Sequence, residues 1–342
     1  MTYANIILPL PLDGLFTYTI PDALAPKVQV GVRVIVPLGK SKRYVGIVAE
    51  YPITPPAPEK EIGNGEKKIV YKDILEVLDA TPVLLPQQLR LWYWIADYYM
   101  SPIGDVYKAA LPSGLKEQDG YRPRTELYIR LADNFRNERT LTLVIDSMKR
   151  ATKQVDVLMA YLQLAGVDEM DQISPQTEFR EVTREELMNV THASIGIIRA
   201  LLDRKILVTY EKEVGRLNHG SPSRPENMKP LNEAQTEAYN QILIQMMGHR
   251  VTLLHGVTSS GKTEIYIHLI QKAINEKKQV LYLLPEIALT IQITERLKAV
   301  FGDQLGIYHS KYSDAERVEI WQKQLSDNPY SVILGARSAI FL

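Results

Sequence analysis

The stretch LLHGVTSSGKTEIY, residues 253–266, decides the fold of the second half of this sequence. Within it, Gly256, Gly261, Lys262 and Thr263 fit the pattern G-x-x-x-x-G-K-[ST]. An apolar run precedes the pattern and a helical pattern follows it, and in this placement backbone N–H groups and a helix N-terminus converge on an anion. The stretch therefore predicts a strand, a glycine loop that holds phosphate, and a helix. A plain strand-to-helix turn is the alternative.

The residue types of the loop define its chemistry. Glycine lets the backbone curl around a phosphate, the Lys262 ammonium neutralises the β- and γ-phosphate oxygens, and the Thr263 hydroxyl is placed to ligate Mg²⁺. We predict ATP with Mg²⁺ as the cofactor, Lys262 and Thr263 as catalytic residues, and Thr263 as the metal ligand through the nucleotide. The predicted cofactor-binding residues are Gln235, Gly256, Ser259, Ser260, Gly261, Lys262, Thr263 and Glu264. Gln235 is included because its amide both donates and accepts, which suits an adenine edge; a solvated helix glutamine is the alternative.

The region from residue 231 to residue 342 alternates apolar strands with amphipathic helices. The predicted strands are RVTLLHG, QVLYLLP, LGIYHS and SVILGA. Near-continuous apolar strands joined by helices indicate a parallel sheet that is buried on both faces. We expect an α/β lobe at residues 231–342, with ligands at the carboxyl edge of its sheet.

Residues 1–115 predict a β-rich domain. Its short strands are separated by Pro, Gly and Asp, which is typical of a small barrel or sandwich. YPITPPAPEKEIGNGEKK is expected to be a loop, and helices over 85–99 and 104–111 are expected to cap the strands. Aromatic residues on the first helix are assigned to the core rather than to a base-stacking surface. They are Trp92, Trp94, Tyr98 and Tyr99.

Residues 120–215 carry the order helix, turn, helix, wing that indicates a winged-helix domain. Thr183 opens a helix with the capping box T-R-E-E, and a second helix over 193–203 is followed by the strand KILVTYEKEV. Lys205 and Lys212 on this wing suit phosphate contacts, although such modules also serve as protein contacts or spacers. Residues 216–230, rich in Pro, Ser, Gly and Asn, are predicted to be a linker.

Composition excludes several classes of protein. Forty basic residues balance forty acidic ones, so any nucleic-acid contact must come from local patches. The sequence has no cysteine, which excludes disulfides, thiolate nucleophiles and cysteine-bound metals within it. It also lacks an apolar run of membrane-spanning length and a signal-peptide pattern, so we expect a cytoplasmic protein without a membrane partner.

Several motifs together resemble one family. LNEAQTEAY, LLHGVTSSGKTEIY, LLPEIALT, YHSKYSDAERVEIW and ILGARSAIF, in this order, are similar to the first motor lobe of the primosomal replication-restart helicases, the PriA family (primosomal protein N′) of superfamily 2 DNA helicases. LPLPLDGLFTYTIP, GVRVIVPLGKSKRYVGIV, ILEVLD and WIADYYMSPIGDV resemble the 3′-DNA-end-binding domain of that family, and the middle resembles its winged helix. The resemblance implies a multidomain α+β and α/β protein with a small β-barrel, a winged helix and a RecA-like helicase lobe.

The resemblance implies an ATP-dependent 3′-to-5′ DNA helicase or translocase that recognises stalled or repaired forks and initiates primosome assembly in replication restart. Its implied partners are DNA forks, 3′ ends and single strands, replication-restart and primosome proteins, and single-stranded-DNA-binding protein; we expect a monomer. The implied DNA-binding residues are Phe16, Thr17, Gly39, Lys40, Lys72, Glu286, Arg337 and Ser338. Thr17 departs from the aspartate that is usual in the family, and Lys40 lies with Lys42 and Arg43 in a basic cluster for which a solvated hairpin is the alternative.

No acidic pair follows an apolar strand after Thr263, and the family's zinc-binding cysteines and second lobe would lie beyond residue 342. We therefore expect an N-terminal piece with a partial lobe, which binds DNA and nucleotide but does not hydrolyse ATP. Two alternatives come from other classes. One is a DNA-binding scaffold that recruits replication proteins and has a regulatory nucleotide site. The other is a P-loop kinase, for which the sequence shows neither a lid nor a substrate pocket.

Overall fold

The structure is a computed structural model that describes residues 2–54, 71–167, 173, 177, 179–214, 221–257, 260–309 and 312–342. The chain divides into two compact units, one of Met1–Arg122 with Leu217–Leu342 and one of Pro123–Arg216. The strands are β1 (Thr2–Ile7), β2 (Phe16–Ile20), β3 (Arg33–Leu38), β4 (Lys42–Ile53), β5 (Glu76–Val77), β6 (Thr125–Leu131), β7 (Val182–Thr183), β8 (Leu207–Glu213), β9 (Val280–Leu283), β10 (Leu305–Tyr308) and β11 (Val332–Gly335). The helices are α1 (Pro86–Tyr98), α2 (Ile103–Ala110), α3 (Ser113–Lys116), α4 (Glu138–Ser147), α5 (Thr152–Leu164), α6 (Arg184–Thr191), α7 (Ile195–Asp203), α8 (Glu233–Gly248), α9 (Lys262–Asn275), α10 (Ile291–Phe301) and α11 (Asp314–Leu325).

The first five strands form an antiparallel sheet in the order β2-β1-β4-β3-β5. The segment before β5 joins the two sides of this sheet, because Ile74 N donates to Thr19 O on β2 at 2.9 Å and Leu75 N donates to Ile35 O on β3 at 2.8 Å. A sheet whose edges are connected in this way has the character of the small barrel that the sequence predicts. The predicted loop over 51–68 lies mostly outside the described residues.

Helices α1 to α3 pack on the barrel and share a core with the lobe. The side chains of Leu84, Trp92 and Leu115 lie in the same buried cluster as Val318 and Trp321 of α11. The predicted boundaries between the barrel and the lobe remain predictions, because the barrel and the lobe both lie in the first unit. The predicted 216–230 linker is in part attached to the lobe. Its backbone donates from Arg224 N to Val300 O at 2.7 Å.

The lobe contains a parallel sheet in the order β10-β11-β9. Strands β10 and β11 are fully buried, as the apolar sequence predicts, whereas alternate residues of β9 are exposed. The multidomain α+β and α/β class is thus confirmed by an antiparallel barrel and a separate parallel sheet with helices between its strands.

The strand predicted at RVTLLHG is wrong. Residues 251–257 have no regular secondary structure, and Val251 and Leu253 are 85% and 86% exposed. A β-strand exists only with a hydrogen-bonded neighbour, and no described strand pairs with this segment. Apolar composition therefore did not suffice to define a strand here.

The core assignment of three aromatic residues on α1 is also wrong. Trp92 is fully buried, but Trp94, Tyr98 and Tyr99 are exposed. Helix α1 buries only the stripe formed by Leu89 and Trp92, whereas Trp94 and Tyr98 lie off this stripe and Tyr99 follows the last residue of the helix. The rings of Trp94 and Tyr98 stack on each other with centroids 5.0 Å apart.

The second unit has its own core and a small sheet in the order β7-β6-β8. Thr183 caps α6 as predicted, with its hydroxyl oxygen accepting from Glu186 N at 3.0 Å, and α7 follows after a short turn. Strand β8 pairs with β6 along its whole length. Strand β6 and helix α4 were not predicted. No helix among the described residues combines the length and the apolar character needed to cross a bilayer.

A buried ion pair fixes the end of β3 to the helices. The Arg33 guanidinium donates to both oxygens of Asp79, at 2.7 Å and 3.0 Å, and also to Leu115 O at 3.1 Å. Both side chains are largely buried. We predict that Asp79→Ala lowers the free energy of unfolding of this unit by about 3 kcal/mol, because it leaves a buried guanidinium unpaired. Urea denaturation followed by tryptophan fluorescence measures this unit alone, since Trp92, Trp94 and Trp321 all lie in it.

Asp105→Ala is the matched control. Asp105 pairs with Lys108 at 2.9 Å, and both side chains are exposed. Its removal is expected to cost about 1 kcal/mol or less. Equal losses in the two variants would contradict the role given to the Arg33–Asp79 pair.

Candidate nucleotide and DNA sites

The described ends of the 256–263 segment lie close together, around a turn at Gly261. Gly261 has a φ of +83°, in the left-handed region that favours glycine, and α9 begins at the next residue. A Cβ added at Gly256 would lie 3.0 Å from Ser260 Oγ, so the two ends of the loop approach each other closely. Ser259 lies outside the described residues. The turn at Gly261 and the helix start at Lys262 are present, although the predicted strand before them is not.

The Lys262 ammonium lies within this bend. Its Nζ donates to Gly256 O at 2.6 Å and to Val257 O at 2.7 Å. The charged group thus faces the loop rather than the protein core, at the N-terminus of a helix where anions are favoured. Thr263 lies in the first turn of the same helix. The Lys262 ammonium and the helix N-terminus beside Gly261 are donors that suit a triphosphate, so the described residues fit an ATP phosphate chain.

Gln235 is connected to the loop. Its Nε2 donates to Gly261 O at 3.3 Å, while its Oε1 accepts from Asn232 N at 3.0 Å in the capping box of α8. A Cβ on residue 261 would meet Gln235 Nε2 at 2.2 Å, so this contact needs glycine. The amide predicted to read adenine therefore has one hydrogen bond to the loop and one to its own helix cap. Glu264, in contrast, is buried and faces Arg296 of α10.

Three candidate DNA-binding residues lie at one edge of the parallel sheet. Strands β9, β10 and β11 end in register, with Leu283 opposite Gly335 and Gly335 opposite Tyr308. Glu286 follows β9, and Arg337 and Ser338 follow β11. All three are exposed. The structure therefore brings these residues to the carboxyl edge of the sheet, where ligands bind in open α/β folds.

The candidate 3′-end residues of the barrel lie in two places. Lys72 Nζ donates to Gly39 O, which joins these two candidates directly. Phe16 packs against the apolar interior of the barrel. Near it, the Tyr18 hydroxyl donates to Pro37 O at 3.2 Å, and burial raises the pKa of this phenol. The lysine and the glycine are thus close to the β3–β4 turn, which also carries the exposed Lys40, Lys42 and Arg43.

Thr17 faces the other side of the sheet. Its hydroxyl donates to Asn5 Oδ1 at 2.8 Å, and Asn5 Nδ2 donates to Glu50 Oε2 at 2.6 Å. Burial and then the Glu50 charge raise the pKa of Tyr93 on α1 to about 12. No sequence pattern points to Asn5 or Glu50, because only the cross-strand register aligns them with Thr17.

The wing lysine Lys212 has a carboxylate partner. Its ammonium donates to Glu181, and this hydrogen bond raises the pKa of Lys212 and lowers that of Glu181. Tyr210 also donates to Glu181, at 3.2 Å. A phosphate would compete with Glu181 for this lysine. Among the described residues, no group of three or more His, Cys, Asp or Glu side chains is arranged to hold a metal ion.

Three protein-family models match consecutive parts of the chain. The 3′ DNA-binding domain (3′BD) of PriA matches residues 5–112. The winged helix domain of PriA helicase from Bacteroidota matches residues 126–214. The DEAD/DEAH box helicase model matches residues 232–341. Together the models cover the barrel, the second unit and the lobe in the order that the sequence motifs predict.

Curated relatives match over the whole chain. The replication restart protein PriA of Haemophilus influenzae is 32% identical over 341 residues, which cover 100% of this chain and 42% of that protein. The replication restart protein PriA of Bacillus subtilis is 29% identical over 398 residues, covering 100% of this chain and 47% of that protein. The PriA of Helicobacter pylori strain J99 is 41% identical over 117 residues, 34% of this chain. The chain thus spans less than half the length of these relatives.

Gly261→Ala tests the geometry of the loop. We predict a loss of about 2 kcal/mol in the free energy of unfolding, about 1 from left-handed backbone on a non-glycine residue and about 1 from the lost Gln235 hydrogen bond. Gly14→Ala is the matched control, because Gly14 has the same φ of +83° and nothing within 4 Å of an added Cβ. Urea denaturation followed by tryptophan fluorescence gives both values. An equal cost at the two positions would show that the Gln235 contact contributes nothing.

Proposed function

This chain belongs to the PriA family of replication restart proteins, and from that premise we propose that it is the DNA-engaging and nucleotide-binding part of an ATP-dependent 3′-to-5′ DNA helicase. The substrate we propose is a stalled or repaired replication fork, on which the whole protein initiates primosome assembly. The Lys262 ammonium at the start of α9, in contact with the carbonyls of Gly256 and Val257, is the observation that carries this proposal.

The phosphate loop supports nucleotide binding by charge and by position. When ATP binds, the Lys262 ammonium would exchange its two carbonyl contacts for the β- and γ-phosphate oxygens. The backbone N–H groups at the start of α9 would face the same triphosphate. When ATP and Mg²⁺ are bound, the metal would neutralise phosphate charge, and the Thr263 hydroxyl is the side chain that would hold it. Gln235 would contact adenine while it stays tied to Gly261 O.

Two exposed regions support DNA binding. The sheet edge with Arg337 and Ser338 offers a cation and a hydroxyl, which suit phosphate contacts along a single strand. The turn with Gly39 and Lys72 offers a close backbone approach and a second cation, which suit a strand end. Since net charge is zero, these local groups must provide the electrostatic attraction. Protein partners in replication restart, including a single-stranded-DNA-binding protein, are part of the same proposal.

Lys262→Ala tests the nucleotide site. We predict that it weakens binding of a fluorescent ATP analogue with Mg²⁺ by at least about tenfold, because a charge-assisted contact to phosphate is lost. DNA binding is expected to stay unchanged. Fluorescence titration of the 342-residue chain measures both affinities. Lys272→Ala is the control, since Lys272 lies on the same helix, is exposed and pairs with Glu276.

The scaffold alternative gives a different outcome in the whole protein. A motor with Lys262→Ala loses DNA unwinding while fork binding persists, whereas a scaffold with a regulatory nucleotide site keeps its recruiting activity. If the wild-type chain binds no ATP analogue, the nucleotide-binding half of the proposal is wrong.

Lys72→Ala tests the DNA-end site. Wild type is expected to bind a fork whose leading strand ends in a 3′-hydroxyl more tightly than one that ends in a 3′-phosphate. Lys72→Ala is expected to reduce this preference and to lower the slope of log affinity against log salt by roughly 0.7, the value for one phosphate contact on a single strand. Fluorescence anisotropy at several salt concentrations measures both quantities. Lys27→Ala, an exposed lysine elsewhere on the barrel, should behave as wild type, and equal binding of wild type to both fork ends would remove the end-recognition role.

A further inference from the structure

The ion pair between Glu264 and Arg296 is unusual for its position. Within the described residues, Glu264 is the only charged residue that is fully buried, at 7% exposed. It lies two residues after Lys262, in the first turn of α9. Its carboxylate pairs with the Arg296 guanidinium of α10.

Stability does not explain this pair. The surrounding residues are apolar, since Ile267 and Ile270 of α9 pack with Leu297 and Val300 of α10 in one cluster. Apolar side chains of similar volume are often as stabilising as a buried ion pair, or more so, because desolvation of two charges offsets their attraction. A buried pair does, however, fix two helices in one register, because breaking it leaves a charge without a partner.

The pair also sets the charge next to the phosphate loop. A carboxylate in the first turn of α9 is favoured by the helix dipole, but it competes with a triphosphate for the same positive end. The Arg296 guanidinium neutralises this carboxylate. The nucleotide site can then keep a buried acid close to Lys262 without repelling its ligand.

Helix α10 leads directly to a candidate DNA-binding segment. The helix begins at Ile291, where the Thr290 hydroxyl oxygen accepts from Ile293 N at 3.4 Å. The turn that carries Glu286 ends two residues before this cap. Arg296 is therefore one to two turns of helix away from the 286–290 segment.

We propose that the Glu264–Arg296 pair is a positioning element that links the phosphate loop to the 286–290 segment. A shift of that segment on DNA moves α10, and the pair transmits the shift to the first turn of α9 and so to Lys262 and Thr263. The inference rests on the proposed function, since it requires that the chain binds both nucleotide and DNA. Arg296 acts through its contact with Glu264 and is therefore a positioning residue.

The test measures coupling between the two ligands. The dissociation constant of a fluorescent ATP analogue with Mg²⁺ is measured on the 342-residue chain with and without saturating oligothymidylate. For wild type we expect the two constants to differ by about fivefold or more, the usual lower range of coupling between sites. In Arg296→Gln the ratio is expected to fall to about one, while the analogue still binds, and in Glu264→Gln the ratio is expected to fall in the same way. Glu276→Gln removes an exposed ion pair on the same helix and should keep the wild-type ratio.

Three further outcomes complete the test. Arg296→Lys keeps the charge and is expected to retain part of the coupling. If loss of the charge prevents folding, this variant replaces Arg296→Gln in the measurement. A wild-type ratio in Glu264→Gln and Arg296→Gln, or a ratio of one in wild type, would overturn the positioning role while leaving nucleotide binding intact. Failure of the wild-type chain to bind the analogue would instead remove the proposed function, and the positioning role with it.

Discussion

The indole of Trp321 donates a hydrogen bond from Nε1 to Val83 O at 2.7 Å, across 238 residues of chain, and the structure of the first unit depends on this contact. The side chain is 1% exposed, so its N–H has no access to water and needs a protein acceptor. Around it, apolar side chains of the barrel helices and of α11 form one cluster. The barrel and the lobe therefore share a core and are held in a fixed relation within this unit.

This shared core places the candidate DNA-binding groups on one framework. Gln88 of α1 donates from Nε2 to Phe341 O at 3.0 Å, at the end of the turn that carries Arg337. The same Gln88 accepts from Leu85 N at 2.9 Å, which fixes the amide. The sheet edge of the lobe is thus connected by hydrogen bonds to the helix that caps the barrel. The proposed strand-end site on the barrel and the proposed single-strand site at the sheet edge thus lie on parts of the chain that pack against each other.

The sequence predicted the elements whose signals are local. The cap of α6 at Thr183 is read from neighbouring residues, and this helix begins where the sequence indicates. The turn at Gly261 is local as well, because it depends on glycine and on the helix that follows. Local rules therefore defined the start of α6 and the turn at Gly261.

The failures all depend on partners that are distant in the sequence. The apolar run over 250–256 needed a neighbouring strand, and among the described strands none pairs with it. Trp94 and Trp92 differ by two positions on α1, yet one is exposed and the other buried, because packing against the barrel selects the stripe. The hydrogen bond from Thr17 to Asn5 follows from the register of β1 and β2. Burial within a predicted helix and contacts across a sheet are properties of the assembled core, so composition and spacing did not define them.

The position of the Lys262 ammonium likewise depends on contacts that the motif does not define. Lys262 Nζ donates to Gly256 O and Val257 O, so the ammonium must exchange these two carbonyl acceptors for phosphate when a nucleotide binds. Because Lys262 begins α9, its position also depends on how α9 packs against α10, which the loop motif does not encode.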